Sequence, residues 1–254
     1  MKYFLILTAI TLLASGPTFA AEGGHSTPEL PNVDWSFEGV TGHYNKGSLQ
    51  RGLKVYRNVC SACHGLKRVY FRNLEALGYN EAQIKAIAAE YTITDGPNDE
   101  GEMFERAGRP SDRFPEPYPN ENAAKYANNG ALPPDLSLIT KARAGGADYI
   151  YGLMVGYEEA PADIDLLPGQ YYNEYMPGHV ISMPPPLSDG MVAYEDGAAE
   201  TVEQYAKDVS NFLTYAAEPE LEQRKRMGIK VVLFLIAFAA VMFAVKKRVW
   251  KNIH

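Results

Sequence analysis

Cysteine is nearly absent: the 254 residues contain two, only three positions apart. A disulfide framework is therefore excluded as the source of the fold's stability. Arginine does not occur before Arg51, which argues against a mitochondrial presequence. There is no internal repeat, and nothing in the patterning predicts a sheet of any size. Acids are missing from residues 224–254: all 31 fall within 21–223, alongside 15 of the 24 Lys and Arg. The net charge of −7 thus hides a body of −16 and a tail of +8. So acidic a body repels nucleic acid and attracts a basic partner, with a salt-sensitive encounter rate.

Two apolar runs at the chain ends do not belong to a core. In Met1–Ala20, Lys2 supplies a minimal positive start and Tyr3–Ala14 an apolar stretch too short to cross a bilayer core of ~30 Å. Thr18 and Ala20 place small residues at −3 and −1 of a cut before Ala21. Residues 1–20 therefore read as a cleaved bacterial export signal. The second run, Ile229–Val245, has no charge or helix breaker after Lys230, which can snorkel. Counting Met227 and Gly228, it is close to the ~20 residues a membrane-crossing helix needs, and with its flanks the anchor takes in 224–248. Export of residues 21–223 puts the body in the periplasm, the anchor in the inner membrane and its lipid, and 249–254 in the cytoplasm.

The two cysteines stand in Cys60-Ser61-Ala62-Cys63-His64. A thioredoxin-like pair needs a strand before it, and none is patterned there. A structural zinc site needs four ligands, and no second Cys or His pair is near. Cys-x-x-Cys-His is also the attachment signature of c-type haem. Two thiols one turn apart can add to the two vinyl groups of one porphyrin, with the adjacent histidine under the iron. Upstream, Leu49, Leu53, Tyr56 and Val59 recur at helical steps, predicting a helix over Gly47–Cys60 with its apolar face beside the haem.

An electron carrier needs a second axial ligand, whereas a haem enzyme or gas sensor keeps that position open. The candidates are Met103, Met154, Met176, Met183, Met191 and His179. Met183 opens Met183-Pro184-Pro185-Pro186, a stiff extended segment suited to holding a thioether in place. Met176, before Pro177, stands second and His179 third. Met154 sits in an expected helix over Asp148–Tyr157 and reads as core.

Elsewhere, Glu81–Tyr91 reads as a helix. Residues 109–119, with four prolines, cannot be regular structure. Thr201-Val202-Glu203-Gln204 offers a capping box for a helix carrying Val202, Tyr205, Val209, Phe212, Leu213 and Ala216 at helical spacing. The expected fold is mainly α: one haem domain over 21–223 with long ordered loops, plus the C-terminal membrane helix. Acids at Asp95, Asp99, Glu100, Glu102 and Glu105, and again at Glu158, Glu159, Asp163 and Asp165, read as a solvated or partner-docking face, with Asp99, Glu100 and Glu102 the docking candidates. Arg143 and Tyr149 are candidate contacts for haem propionates.

Several long stretches together resemble the cytochrome c1 family, the haem subunits of the cytochrome bc1 complex (quinol–cytochrome c oxidoreductase). They are CSACH at 60–64, GPNDEGEMFERAG at 96–108, ANNGALPPDLSLITKARAGG at 127–146, YMPGHVISMPPPL at 175–187 and AAEPELEQRKRMG at 216–228. The resemblance implies His64 and Met183 as axial ligands of one haem c held by Cys60 and Cys63. It places Asn128, Ala131, Pro133, Pro134, Arg143 and Tyr149 around that haem, a cytochrome c-like fold. It further implies electrons arriving from a Rieske iron–sulfur protein and leaving to a cytochrome c, with cytochrome b beside the anchor, in a dimeric complex. On this reading the chain belongs to an enzyme complex of respiration or photosynthesis but does no bond chemistry itself. Some bacterial relatives carry an added disulfide, which this chain has no cysteines to form.

Overall fold

The computed structural model describes residues 28–252. The expected export signal, 1–20, lies outside them. Six α-helices, four short strands and several 3₁₀ turns are present among the described residues, so the chain is mainly helical, as patterned.

Helix α1 (Lys46–Asn58) begins where the Asn45 side chain accepts the Ser48 amide at 3.1 Å. It buries Leu49, Leu53, Val55 and Tyr56. Its end comes two residues before the expected Cys60, because Val59 leaves helical geometry at φ −120°. Helix α2 (Glu81–Ala89) starts with a capping box between Asn80 and Gln83. Strands β1 (Thr92–Asp95) and β2 (Phe104–Ala107) form an antiparallel hairpin. Helix α3 (Glu121–Ala127) and helix α4 (Gly146–Val155) follow. The latter starts two residues earlier than the periodicity predicts and stops before Tyr157. Strands β3 (Tyr171–Tyr172) and β4 (Val180–Ile181) make a second small antiparallel pair. No larger sheet exists among the described residues. Helix α5 (Val202–Ala217) runs through the centre, and helix α6 (Leu221–Val249) leaves the domain.

The capping box expected at α5 forms only in part. Thr201 accepts the Gln204 amide, but the Gln204 side chain turns to Asp208 Oδ2 at 3.0 Å. That choice serves the crossing of α1 and α5. Asp208 is fully buried, and both its oxygens are taken: Ser48 Oγ lies 2.6 Å and Arg51 Nη2 3.0 Å from Oδ1, with Arg51 Nε 2.7 Å from Oδ2. A buried carboxylate is tolerable only with such partners. The crossing is close because α1 has Gly52 there. A Cβ on Gly52 would lie 2.1 Å from the Asp208 carbonyl oxygen and 2.6 Å from Phe212 Cβ.

Tyr56, Phe71, Tyr91, Phe114 and Phe212 form an aromatic core on one side of that crossing, with Phe71 and Phe114 centroids 4.4 Å apart. The irregular residues 109–119 are held by main-chain bonds from Phe71 to Asp112 and from Phe114 to Val69.

Helix α6 has 29 residues, ~44 Å at 1.5 Å per residue, and buries only Leu221. Its apolar window has mean hydropathy 2.6 and none of it is covered by the rest of the chain. Length and composition suit a membrane crossing. At its base, Glu222 accepts the Tyr44 amide at 2.9 Å and Lys225 donates to the Phe37 carbonyl. The root of the helix is thereby joined to the domain.

Candidate cofactor site

After α1, a 3₁₀ turn at Cys60–Ala62 lets the amides of Cys63 and His64 both donate to the Cys60 carbonyl, at 3.1 and 2.9 Å. Both sulfurs and the His64 ring come to the wall of one cavity of about 440 Å³. This lies within the range of small-molecule and cofactor sites. Burial, and then Cys63, push the Cys60 thiol up to about 12. A thiol so raised is protonated at neutral pH, contrary to what a redox-exchange pair requires. No three Cys, His, Asp or Glu side chains converge on a metal position among the described residues, which also disfavours zinc.

The His64 Nδ1 lies 2.7 Å from the Pro134 carbonyl oxygen. A carbonyl can only accept, so Nδ1 carries the proton and Nε2 keeps its lone pair free. Burial lowers the imidazole pKa, opposed by that same carbonyl and by Asp135. The ring is thus held neutral, the form that binds a metal. The main chain of His64 is held too, its carbonyl accepting from Tyr56 at 3.0 Å.

The loop carrying Pro134 is tied to the motif at several points. The Leu136 amide donates to the Gly65 carbonyl, and the Asp135 side chain accepts from the Lys67 amide, both at 2.9 Å. Asn128 donates through Nδ2 to the Ala124 carbonyl at 2.7 Å and to Tyr118 at 3.1 Å, and Tyr118 reaches Cys63 Sγ at 3.8 Å. Asn129, at φ 52°, and Gly130, at φ 88°, turn the chain sharply after α3. The sequence ANNGALPP therefore forms one wall of the cavity.

The structure brings Cys60, Cys63, His64, Asn128, Ala131, Pro133, Pro134, Arg143, Tyr149 and Met183 to this single cavity. Met176 joins them, with Sδ 3.5 Å from the Tyr149 hydroxyl. Burial raises the Tyr149 phenol and the nearby Arg143 guanidinium pulls it back, so the two groups lie close at one edge. His179 lies outside the lining, its ring stacked on Tyr172 at 5.6 Å. Met154, expected in the core, is half-buried and lines the cavity instead, beside Ile150 and Leu153. Val209 and Leu213 of α5 close the apolar floor. Asp99, Glu100 and Glu102 stand apart on the exposed β1–β2 loop, which Asn98 Oδ1 organises by accepting the amides of Glu100 and Glu102.

Three residues around the site escape a reading of the sequence. Tyr118, Tyr157 and Asn173 meet their partners across 55, 26 and 20 positions; no periodicity marks Tyr118 or Asn173, and the pattern that reaches Tyr157 marks it only as a helix end. An apolar slot with two thiols on its wall and one neutral imidazole nitrogen free to ligate fits a covalently bound haem.

A family model described as the Cytochrome C1 family matches residues 35–253. This chain belongs to the cytochrome c1 family. It is 45% identical to "Cytochrome c1" of Rhodospirillum rubrum over 269 aligned positions, covering 100% of this chain and 98% of that one. It is 46% identical to "Cytochrome c1, heme protein, mitochondrial" of Saccharomyces cerevisiae, over 97% of this chain and 79% of the relative. Identity reaches 49% with "Cytochrome b/c1" of Bradyrhizobium diazoefficiens, where 97% of this chain spans 40% of the longer protein. Like other cytochrome c1 chains, it carries covalently bound haem c. It is an electron-transfer haem subunit of a cytochrome bc1 complex. Helix α6 anchors it to a membrane.

Proposed function

We propose that this chain passes single electrons from a Rieske iron–sulfur protein to a soluble or membrane-bound cytochrome c, in a respiratory or photosynthetic quinol–cytochrome c reductase. The observation that carries the reading is the hydrogen bond from His64 Nδ1 to the Pro134 carbonyl, which leaves Nε2 aimed at chemistry and not at the protein.

Cys60 and Cys63 would hold the haem through two thioether links, and His64 Nε2 and the Met183 sulfur would be the groups offered to its iron. Bound in this way, the haem supplies a reversible one-electron couple, raised in potential by a thioether ligand. The chain's residues would hold both of those groups in place. His64 is fixed by Pro134 and Tyr56, and the prolines after Met183 limit the excursions of its loop. Apolar Ile150, Leu153, Val209 and Leu213 keep water away. Arg143 and Tyr149, at one edge of the cavity, would offer the propionates charge-assisted and hydroxyl hydrogen bonds. On this reading the chain carries electrons and does no bond chemistry of its own.

Residues 1–20 direct export and are removed, 21–223 form the periplasmic domain, 224–248 cross the inner membrane and 249–254 remain in the cytoplasm. Cytochrome b packs beside α6, consistent with a relative whose name joins b and c1. The assembly is dimeric. The exposed acids Asp99, Glu100 and Glu102 contribute to docking of a basic acceptor. Replacing Met183 by Leu tests the ligand assignment. The expected result is loss of the low-spin methionine–iron absorption signature and a large fall in potential; an unchanged spectrum would count against the reading.

A further inference from the structure

The segment that presents Met183 has little regular structure, yet it is bound to the C-terminal end of α4 at several points. Asn173 is wholly buried and uses every polar atom of its side chain. Its Nδ2 donates to the Leu153 carbonyl at 2.8 Å, one of the carbonyls left without a partner where α4 ends. Its Oδ1 accepts the amides of Tyr175 and Met176, both at 3.1 Å. Its own amide donates to the His179 carbonyl at 2.9 Å, closing the turn between β3 and β4. The Glu174 amide then donates to the Gly156 carbonyl at 2.8 Å.

The two pieces also touch without spacing. Gly152 and Gly156, one turn apart, leave a slot for the Tyr175 ring. A Cβ on Gly156 would lie 2.5 Å from Tyr175 Cδ2, and one on Gly152 3.0 Å from Tyr175 Cγ. At the far end of β4, the Tyr157 hydroxyl donates to the carbonyl oxygen of Met183 itself, at 3.1 Å. Helix α4 is a firm base for this brace because it buries Ala147, Tyr149 and Ile150.

We infer that Tyr157 and Asn173 are positioning residues for the Met183 thioether: together they fasten its loop to α4 and hold the sulfur at its place in the cavity. The inference rests on Met183 as axial ligand. Neither residue lines the cavity, so both act through the loop and not on the haem directly. A brace of this kind sets how often the sulfur leaves the iron, and so how readily a foreign ligand enters.

The test uses the full-length membrane complex with Tyr157→Phe and Asn173→Asp, and Met183→Leu beside them. Imidazole titration of the ferric protein and carbon monoxide titration of the ferrous protein report the open fraction; a redox titration reports the potential. Tyr157→Phe is expected to raise both ligand affinities about fivefold, the equilibrium factor of one lost neutral hydrogen bond. It should also weaken the methionine–iron band and lower the potential, with haem content unchanged. Asn173→Asp keeps the acceptor oxygen but loses the donor to Leu153, and should move the same readouts in the same direction. Wild-type affinities and potential in both variants, with the signature lost in Met183→Leu, would overturn the inference and leave the ligand standing. An unchanged signature in Met183→Leu would remove the ligand and this inference with it.

Discussion

His64 Nδ1 and the carbonyl oxygen of Pro134 lie 2.7 Å apart across 70 residues of sequence. The contact determines which imidazole nitrogen is free and how much charge the ring can donate through it. Pro134 has a locked φ and follows another proline, so the carbonyl is held at that position. Pro134→Ala frees the backbone and should lengthen the bond, leaving a less electron-rich ring. The midpoint potential is expected to rise by a few tens of millivolts, where ~59 mV is tenfold for one electron. A redox titration that returns the wild-type value would show that the rest of the loop holds the carbonyl.

Two glycines of α1 should respond in opposite ways to the same change. Gly52→Ala drives a methyl into the Asp208 backbone at the α1–α5 crossing and is expected to cost about 3 kcal/mol. Gly47→Ala meets nothing closer than the Asn45 side chain at 3.4 Å and should be neutral or better by about 0.5 kcal/mol. Thermal unfolding of the two variants measures the difference. Equal unfolding temperatures would mean the helices are not in close contact.

The β1–β2 hairpin should loosen in acid. Hydrogen bonds from Arg106 hold the carboxyls of Asp95 and Asp112 below their ordinary 3.8. The unfolded chain then binds protons more readily than the folded one as the pH drops through about 4. Stability supplied by these groups is present above that pH and lost below it. Arg106→Gln should flatten this part of the profile without altering the haem spectrum. Amide exchange across Thr92–Ala107 between pH 3 and 6 would detect it; identical profiles would assign the acid response elsewhere.

Neutralising Asp99, Glu100 and Glu102 to Asn, Gln and Gln removes three exposed charges from one loop. Electron transfer to a basic cytochrome c at low ionic strength should slow several-fold, and its salt dependence should become shallower. Stopped-flow traces at two salt concentrations are sufficient. Unchanged rates and slope would take this loop off the docking surface.

Helix positions were readable from the chain wherever apolar residues recur at helical steps. α1, α2 and α4 lie within two residues of expectation at each end, and α5 starts directly after its expected cap, Thr201. The misplaced ends have local causes invisible to periodicity, such as Val59 leaving helical geometry and Gly145, at φ 82°, starting α4. The half-formed cap at Thr201 has a distant cause: Gln204 is drawn to Asp208, whose burial depends on α1 packing above it.

The sequence alone determined the haem motif, the membrane helix and the charge imbalance. Each is a property of adjacent residues: two thiols one turn apart, an uninterrupted apolar run, a count of acids. The mouth and walls of the cavity are different in kind. His64 finds Pro134, Tyr157 finds the Met183 carbonyl and Asn173 finds the end of α4 only because α4 and α5 pack and carry the loops with them. Those bonds join residues with no shared period, so only tertiary packing could decide them; buried polar groups must find partners, and the folded chain determines which.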